Sequence, residues 1–446
     1  MTSAGPSLGA PPAGRGFRQL TGVFTLVAGA GSLALFAAGS PGNGAPLALA
    51  AFVSLALYCR SHPLLKSFVF TAWVFTFVAA SMFHPTAFGS WWGFDLKNLI
   101  VPLIQIIMFG MGTTLSLQDF ARVLVMPVPV GIGLLFHYTI MPLTGFALAK
   151  LFAFPPEIAA GVILIGSVSS GAASNLITYL ARGNVALAVT ITACSTLVSP
   201  LLTPLLMKVL AGKLVPIKVT AMVLEILNMV IVPVVAGLVA NRILYGSGPW
   251  YNRGRLVAGL AVAGLALAGA AAALPTTWWG AFGTLRTGAI LGFGLIAVIA
   301  LAKLLITILW GRGTGWMDRA LPVISMAGIC FVIAIITARS REKLLTVGAT
   351  LILAAMVHNA VGYFFGYWLA RAVGQGEVAS RTIAIEVGMQ NGGMASGLAM
   401  GVLQSADAAL APAIFGPWMN ISGSVLASWW RGRPAGDIPE KGKSSS

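Results

Sequence analysis

Long apolar stretches separated by short polar ones run through almost the whole chain. A helix that spans a membrane needs about 20 mostly apolar residues. About fourteen stretches approach or reach that length, at residues 19–39, 44–59, 67–83, 98–115, 126–152, 157–181, 184–211, 219–242, 256–274, 287–310, 321–337, 345–370, 382–404 and 407–429. The pattern therefore predicts an all-α polytopic membrane protein.

Three of these stretches do not have the pattern of an ordinary spanning helix, and two of them are predicted to break. Residues 157–181 include "GSVSSGAASN", residues 382–404 include "GMQNGGMASG", and residues 126–152 carry His137 and Pro142 in "HYTIMP". Unwound backbone within a membrane must be buried in protein or line a wet cavity. Two interrupted helices in separate halves of the chain are typical of transporters built from inverted repeats, which bind their ligands near the midplane.

The composition supports a membrane protein whose surface faces a lipid bilayer. The 446 residues are 58% hydrophobic and 9% charged, whereas soluble domains carry about 25% charged residues. The net charge of +16 comes from Lys and Arg scattered singly between apolar stretches. This distribution is typical of loops that orient membrane helices and does not indicate binding to nucleic acid. It favours an inner (cell) membrane protein with both termini in the cytoplasm.

Glu386 is the strongest single sign of chemistry, because it lies inside an apolar stretch. An ionised carboxylate at the centre of a bilayer costs at least about 2.5 kcal/mol. It is expected to persist only if it is paired, protonated or bound to a cation. No basic residue in the middle of the membrane is an obvious partner, so the sequence favours a monovalent cation or a proton. A protonated structural glutamate is the alternative.

Oxygen donors near the two interruptions favour Na⁺ over a transition metal. They are the side chains of Ser174, Asn175, Thr192 and Gln390 and the main-chain carbonyls near Val387 and Met389. Hard cations prefer oxygen ligands, and we expect Na⁺ as a coupling ion with no other cofactor. The alternative for the Ser and Thr side chains is hydrogen bonding between packed helices.

The interruptions also create helix N-termini inside the membrane. Half-helices that begin near Ala173 and Gly392 would present free N–H groups and partial positive charge to the cavity. This arrangement suits an organic anion. A cation and an anion that stabilise each other's binding provide the reciprocal coupling that symport requires.

Four other polar side chains lie inside apolar stretches, and for each a structural role is favoured. Glu225 is expected to pack or reach the membrane surface, with a substrate vestibule as the alternative. His358 and Asn359 are expected to hydrogen-bond between helices. Lys303 is expected to extend its amine toward the membrane surface.

Several motifs resemble the bile acid:sodium symporter family, in a form typical of bacterial members. The two signature stretches are "GAASNLITYLARGNVALAVTITACSTLVSPLLTPLL" and "IEVGMQNGGMASGLA", and "IIMFGMGTTL", "MVHNAVGYFFG" and "NISGSVLASWW" match in family order. The resemblance covers roughly residues 63–435. It implies a ten-helix transporter core of two inverted five-helix repeats, with panel and core domains and two broken helices that cross.

The resemblance also organises the fourteen stretches into domains. They are a disordered lead at 1–18, an extra helix pair at 19–59, a first repeat at 63–242, an inserted helix pair at 256–310, a second repeat at 320–429 and a disordered tail at 430–446. Each addition contains an even number of helices, so the orientation of the core is unchanged.

The family's first sodium site is matched by Ser174, Asn175, Thr192 and Glu386, but Ala188 stands where a serine is usual. The second site is matched by Glu386 and Gln390 with the carbonyls of Val387 and Met389. Its usual glutamine is replaced by His137, so the sodium stoichiometry is expected to differ, or protons to take part.

The resemblance implies sodium-coupled symport of an organic anion by alternating access. The expected substrate is a small carboxylate such as pyruvate or pantoate, or a bile-acid-like anion, and Asn391 is the side chain expected nearest to it, together with the helix starts at Ala173 and Gly392. A proton-coupled or uncoupled uniporter or channel on the same scaffold is the alternative. An enzyme is disfavoured, because the chain has no H-E-x-x-H or G-x-S-x-G motif.

Overall fold

The fold is almost entirely helical. The computed structural model describes residues 15–62, 65–246, 248–311, 313 and 315–433. Within these residues the only paired strands form one short antiparallel hairpin, Ser90–Trp91 with Phe94–Asp95. Ten of the described helices are long and apolar enough to cross a membrane. The predicted all-α polytopic membrane class is confirmed.

The α-helices are numbered in chain order. The first eleven are α1 (Arg15–Ala37), α2 (Pro41–Ser61), α3 (Val69–Phe83), α4 (Ile100–Thr114), α5 (Leu117–Ala121), α6 (Pro127–Leu151), α7 (Pro156–Ser167), α8 (Ala173–Leu180), α9 (Val185–Ala211), α10 (Val219–Ile226) and α11 (Val232–Tyr245). The others are α12 (Gly254–Ala273), α13 (Thr276–Trp279), α14 (Leu285–Ala302), α15 (Gly315–Arg339), α16 (Arg341–Ala372), α17 (Glu377–Gly388), α18 (Gly392–Gly401) and α19 (Ala406–Arg431).

Short non-α helical turns connect several of these helices. Five 3₁₀ turns precede or follow helices at Lys66–Phe68, Pro85–Phe88, Leu96–Leu99, Arg122–Leu124 and Pro249–Asn252, and a sixth lies at Gly280–Phe282. Two π-helical segments continue α-helices, Leu227–Ile231 between α10 and α11 and Lys303–Leu309 after α14. Such π segments often occur at functional positions.

Each of the fourteen predicted stretches coincides with a helix or with a pair of helices. The two interrupted stretches are the pairs α7–α8 and α17–α18. The third unusual stretch differs, because α6 is one continuous helix that contains both His137 and Pro142. Membrane helices tolerate a proline, since neighbouring groups satisfy the carbonyl that it leaves without a donor.

The helix ends differ slightly from the expected boundaries. Helix α1 begins at Arg15, so the last four residues of the lead expected to be disordered are helical. The last helix continues to Arg431, two residues beyond its expected end. Residues 1–14 and 434–446, the rest of the expected lead and tail, lie outside the described residues.

The described helices fall into two compact units. The first contains the described residues of Met1–Lys97 and Gly315–Arg341, which include α1 to α3, the hairpin and α15. There Asp95 of the hairpin pairs with Lys97 and Arg339. The second contains the other described helices. Each unit includes parts of both expected repeats, so the division into repeats stays a prediction.

Small residues bring the helices of the second unit into close contact. A Cβ added at Gly161 of α7 would overlap the carbonyl oxygen of Ala408 in α19, and one added at Gly145 of α6 would lie 2.7 Å from the carbonyl oxygen of Val162. Small interface residues of this kind allow main chains to approach closely in membranes. They hold α7, the first half of a broken helix, firmly between its neighbours.

The π segment that follows α14 is attached to α11 by polar contacts. Lys303 is buried, and its Nζ donates to the carbonyls of Ile243, at 2.6 Å, and Leu244, at 3.3 Å. These carbonyls belong to the last turn of α11, whose C-terminal end attracts a cation. Lys303 therefore binds the C-terminal end of α11, where main-chain carbonyls satisfy its buried amine.

Candidate functional site

The two helix interruptions lie side by side and satisfy each other's main chain. The Gly171 amide donates to the Met389 carbonyl at 3.0 Å, and the Asn391 amide donates to the Ser169 carbonyl at 2.8 Å. They flank an antiparallel bridge between Ser170 and Gln390. Buried main-chain groups outside helices need such partners, so the crossing explains how both helices can be interrupted within the membrane.

Both half-helices begin where the sequence predicted. Helix α8 begins at Ala173 and α18 begins at Gly392. At Gly171, between α7 and α8, an added Cβ would lie 2.6 Å from the carbonyl oxygen of Gln390. Only glycine allows so close an approach of two main chains.

The carboxylate of Glu386 is fully buried beside this crossing and is surrounded by hydroxyl groups. It accepts hydrogen bonds from Ser174 Oγ at 2.5 Å, Ser170 Oγ at 2.7 Å and Thr192 Oγ1 at 2.8 Å. No lysine or arginine of the described residues forms an ion pair with it. The hydroxyls stabilise the carboxylate by donating hydrogen bonds to it, but they carry no positive charge that would balance it.

Two amide oxygens near this carboxylate's hydroxyl partners are buried without a hydrogen-bond partner. They are Oδ1 of Asn175, which follows Ser174 in α8, and Oε1 of Gln390, in the second interruption. Buried side-chain oxygens almost always have a partner. A carboxylate, hydroxyls and two available amide oxygens form the type of ligand set that a hard monovalent cation accepts.

The carbonyls expected as further cation ligands already accept hydrogen bonds. The Val387 carbonyl accepts from Gln390 Nε2 at 2.7 Å and keeps a second lone pair. The Met389 carbonyl accepts from the Gly171 amide and from Ser170 Oγ at 3.2 Å, which together use both lone pairs. Of these two expected ligands, Val387 is the more available.

His137 is fully buried in α6 and connects the two interrupted helices. Its Nδ1 lies 3.0 Å from the Glu386 carbonyl oxygen, and its Nε2 lies 2.8 Å from the Val168 carbonyl oxygen. Both partners are acceptors, and a neutral imidazole donates through one nitrogen only. The ring thus contacts the main chain at the ends of α7 and α17. Its partner in α17 is the main-chain carbonyl of Glu386, not the carboxylate.

The residues expected near the substrate lie at the two half-helix starts, with different exposures. Asn391 is buried as the N-cap of α18, where its Oδ1 accepts from the Met394 amide at 3.0 Å. Gly392 is half-buried, whereas Ala173 at the start of α8 is exposed. The N-terminus of α8 is therefore the more open of the two.

Ser170 and Ser195 at the crossing were not predicted from the sequence, whereas Asn359 was. Ser170 Oγ donates to the Glu386 carboxylate, and the main-chain amide of Ser170 donates to Ser195 Oγ at 3.2 Å. The Asn359 side chain donates to the Gly388 carbonyl at 2.7 Å, which confirms the expected interhelical role of Asn359. The sequence feature that could have indicated Ser170 is the pair of adjacent serines in "SVSSG".

The chain is similar in sequence to sodium-dependent transporters. The model of the Sodium Bile acid symporter family matches residues 101–274. The "Uncharacterized sodium-dependent transporter YocS" of Bacillus subtilis (strain 168) is 32% identical over 361 residues, which are 81% of this chain and 90% of that protein.

Plant and animal proteins are also similar. The "Probable sodium/metabolite cotransporter BASS1, chloroplastic" of Oryza sativa subsp. japonica is 30% identical over 368 residues, 82% of this chain and 73% of that protein. The "Ileal sodium/bile acid cotransporter" of Oryctolagus cuniculus is 27% identical over 300 residues, 66% of this chain and 67% of that protein.

Proposed function

Because the chain belongs to the sodium/bile acid symporter family, whose members include sodium-dependent transporters, we propose that it carries an organic anion across the membrane together with Na⁺ by alternating access. The observation that carries the proposal is the buried Glu386 carboxylate, which has three hydroxyl partners and no described cationic side chain paired with it. A bound Na⁺ supplies the missing positive charge.

The first sodium ion is assigned to the space bounded by Glu386, Ser174, Thr192 and Asn175. Glu386 supplies the negative charge, and the two hydroxyls, which now donate to it, keep lone pairs for a cation. The partnerless Asn175 Oδ1 supplies a further ligand. Na⁺ can therefore bind this oxygen without breaking an existing hydrogen bond.

A second sodium ion would find fewer available oxygens. Gln390 Oε1 and the Val387 carbonyl can contribute oxygens, with Glu386 shared between the two sites. The Met389 carbonyl can contribute only by giving up a hydrogen bond. His137, which contacts carbonyls of both interrupted helices, provides no carboxamide oxygen.

The organic anion is assigned to the N-terminal ends of α8 and α18. These ends carry partial positive charge from the helix dipole, and the exposed start of α8 at Ala173 gives the more direct access. Asn391 orders the start of α18 and leaves its Nδ2 near Met108 Sδ, at 3.7 Å. A small carboxylate such as pyruvate or pantoate is the first choice of substrate.

A thermal-stability screen of the purified chain tests the proposal. Small carboxylates and bile acids are added in Na⁺ buffer and in K⁺ buffer of equal ionic strength. A ligand at about 100 times its Kd stabilises a folded protein by about 2.7 kcal/mol. We expect stabilisation by an organic anion to depend on Na⁺. Equal stabilisation in both buffers would instead favour a uniporter or channel.

Proton coupling is the second candidate function, and His137 is the observation that favours it. Both ring nitrogens lie within hydrogen-bond distance of carbonyl oxygens, and only a doubly protonated ring donates to both. Uptake driven by an imposed pH gradient without Na⁺ would support this alternative over sodium symport.

A further inference from the structure

The N-terminal helices α1 and α2 pack as an antiparallel pair in a well-defined register. Ser54 Oγ donates to the Thr21 carbonyl and Ser32 Oγ to the Gly44 carbonyl, both at 2.9 Å. Near one end, a Cβ added at Gly22 would lie 3.1 Å from the ring of Tyr58. This register places the first turn of α1 beside the last turn of α2.

Basic side chains collect at this end of the pair. Arg15 and Arg18 lie in the first turn of α1, Arg60 lies in the last turn of α2, and Lys66 follows shortly after it. Residues 1–94 contain no aspartate or glutamate. The end of the helix pair is therefore positively charged without a carboxylate of its own.

A groove of about 440 Å³ opens between α1 and α2 at this charged end. Its polar lining includes Arg18, Gln19 and Tyr58, and its apolar lining includes Val23, Leu26 and Leu55. Val23 and Leu26 are 60% and 74% exposed. The groove thus has a cationic entrance and apolar walls that are open to the surroundings.

We propose that this groove binds one anionic phospholipid. The phosphate lies at the charged entrance, within reach of Arg18, and an acyl chain follows the apolar wall toward Leu26. Basic pockets between membrane helices favour anionic head groups in this way. A free phosphate has no acyl chain to cover the apolar wall. A zwitterionic lipid has no net negative charge to match the basic entrance.

Lipid binding to the purified full-length chain tests the proposal. Native mass spectrometry in detergent compares phosphatidylglycerol, phosphatidylcholine of the same acyl chains and sn-glycerol 3-phosphate. We expect phosphatidylglycerol to bind at least about fivefold more tightly than phosphatidylcholine, since each basic residue near a membrane surface contributes about that factor. The soluble phosphate is expected not to bind.

Two arginine variants separate a groove from a diffuse surface charge. Arg18→Gln should lower phosphatidylglycerol affinity about fivefold, whereas Arg60→Gln, at the same end but outside the groove lining, should lower it less. Arg18→Lys, which keeps the charge, should retain most of the preference and shows that the position tolerates substitution. Equal losses in the two glutamine variants, or equal binding of the two lipids by the unmodified chain, would overturn the proposal.

Discussion

The replacement Glu386→Gln should greatly weaken Na⁺ binding while leaving the protein folded. Glutamine has nearly the same shape as glutamate and still offers one oxygen to the surrounding hydroxyls of Ser170, Ser174 and Thr192. Its amide nitrogen can donate to the oxygen of a neighbouring hydroxyl, because hydroxyls also accept. The substitution therefore removes the charge and keeps most of the hydrogen bonding.

The size of the effect follows from the charge that is lost. Two unit charges at about 2.4 Å, a typical separation of a hard cation and its oxygen ligand, attract by about 7 kcal/mol at an effective dielectric constant of about 20. Desolvation of both groups offsets much of this attraction. If about 2 kcal/mol survives, the affinity for Na⁺ falls about 30-fold.

The assay compares the thermal stability of each variant in Na⁺ and in K⁺, followed by sodium-driven uptake in proteoliposomes. Glu157→Gln is the matched control. Glu157 also accepts a hydrogen bond from a serine, Ser405 Oγ at 2.7 Å, but it is exposed at the first turn of α7. The Glu157→Gln variant should therefore be stabilised by Na⁺ as much as the unmodified chain.

The outcome distinguishes a cation site from a structural glutamate. If Glu386→Gln and the unmodified chain gain the same stability from Na⁺, the carboxylate is not a sodium ligand. If Glu386→Gln unfolds in either buffer while Glu157→Gln does not, Glu386→Asp, which keeps the charge but shortens the side chain, provides the second measurement. Full retention of sodium-driven uptake in a folded neutral variant would refute the reasoning.

Three further predictions address helix packing, coupling and the attachment of Lys303 to the end of α11. Gly161→Ala should lower stability by about 1–3 kcal/mol, because its Cβ would overlap the Ala408 carbonyl, whereas Gly131→Ala on the exposed side of α6 has no neighbour within 4 Å and should be neutral or slightly stabilising; thermal denaturation in detergent compares them. His137→Gln should change the sodium dependence or the pH profile of uptake between about pH 5.5 and 8, and if neither changes, the ring has no part in coupling. Lys303→Met should lower thermal stability by about 1–3 kcal/mol, because two helix-end carbonyls lose their donor, and an unchanged melting temperature would contradict that role.

The positions of the helix interruptions could be predicted because their causes are local. Runs of Gly, Ser and Asn weaken a helix wherever they occur, and the predicted starts at Ala173 and Gly392 agree with the structure. Pro142 leaves α6 continuous, because the effect of one proline depends on the neighbours that satisfy the backbone.

The partners of Glu386 could be predicted only in part. Ser174 and Thr192 were expected beside it, but Ser170 was not, because its contact depends on the register in which the two interruptions cross. Such a register is set by tertiary packing between segments far apart in the chain. The same limit applies to Lys303, whose partners lie on another helix.

The mutual pairing of the two interruptions has a consequence for biosynthesis. Ser170 precedes its partner Met389 by 219 residues, so at about 5–20 residues per second the ribosome needs about 10–45 s to make the second interruption after the first. During this interval the unwound amides and carbonyls of the first half lack their permanent partners, and water or the insertion machinery must satisfy them. Shortening the time between the two halves should therefore reduce the degradation of newly made chains.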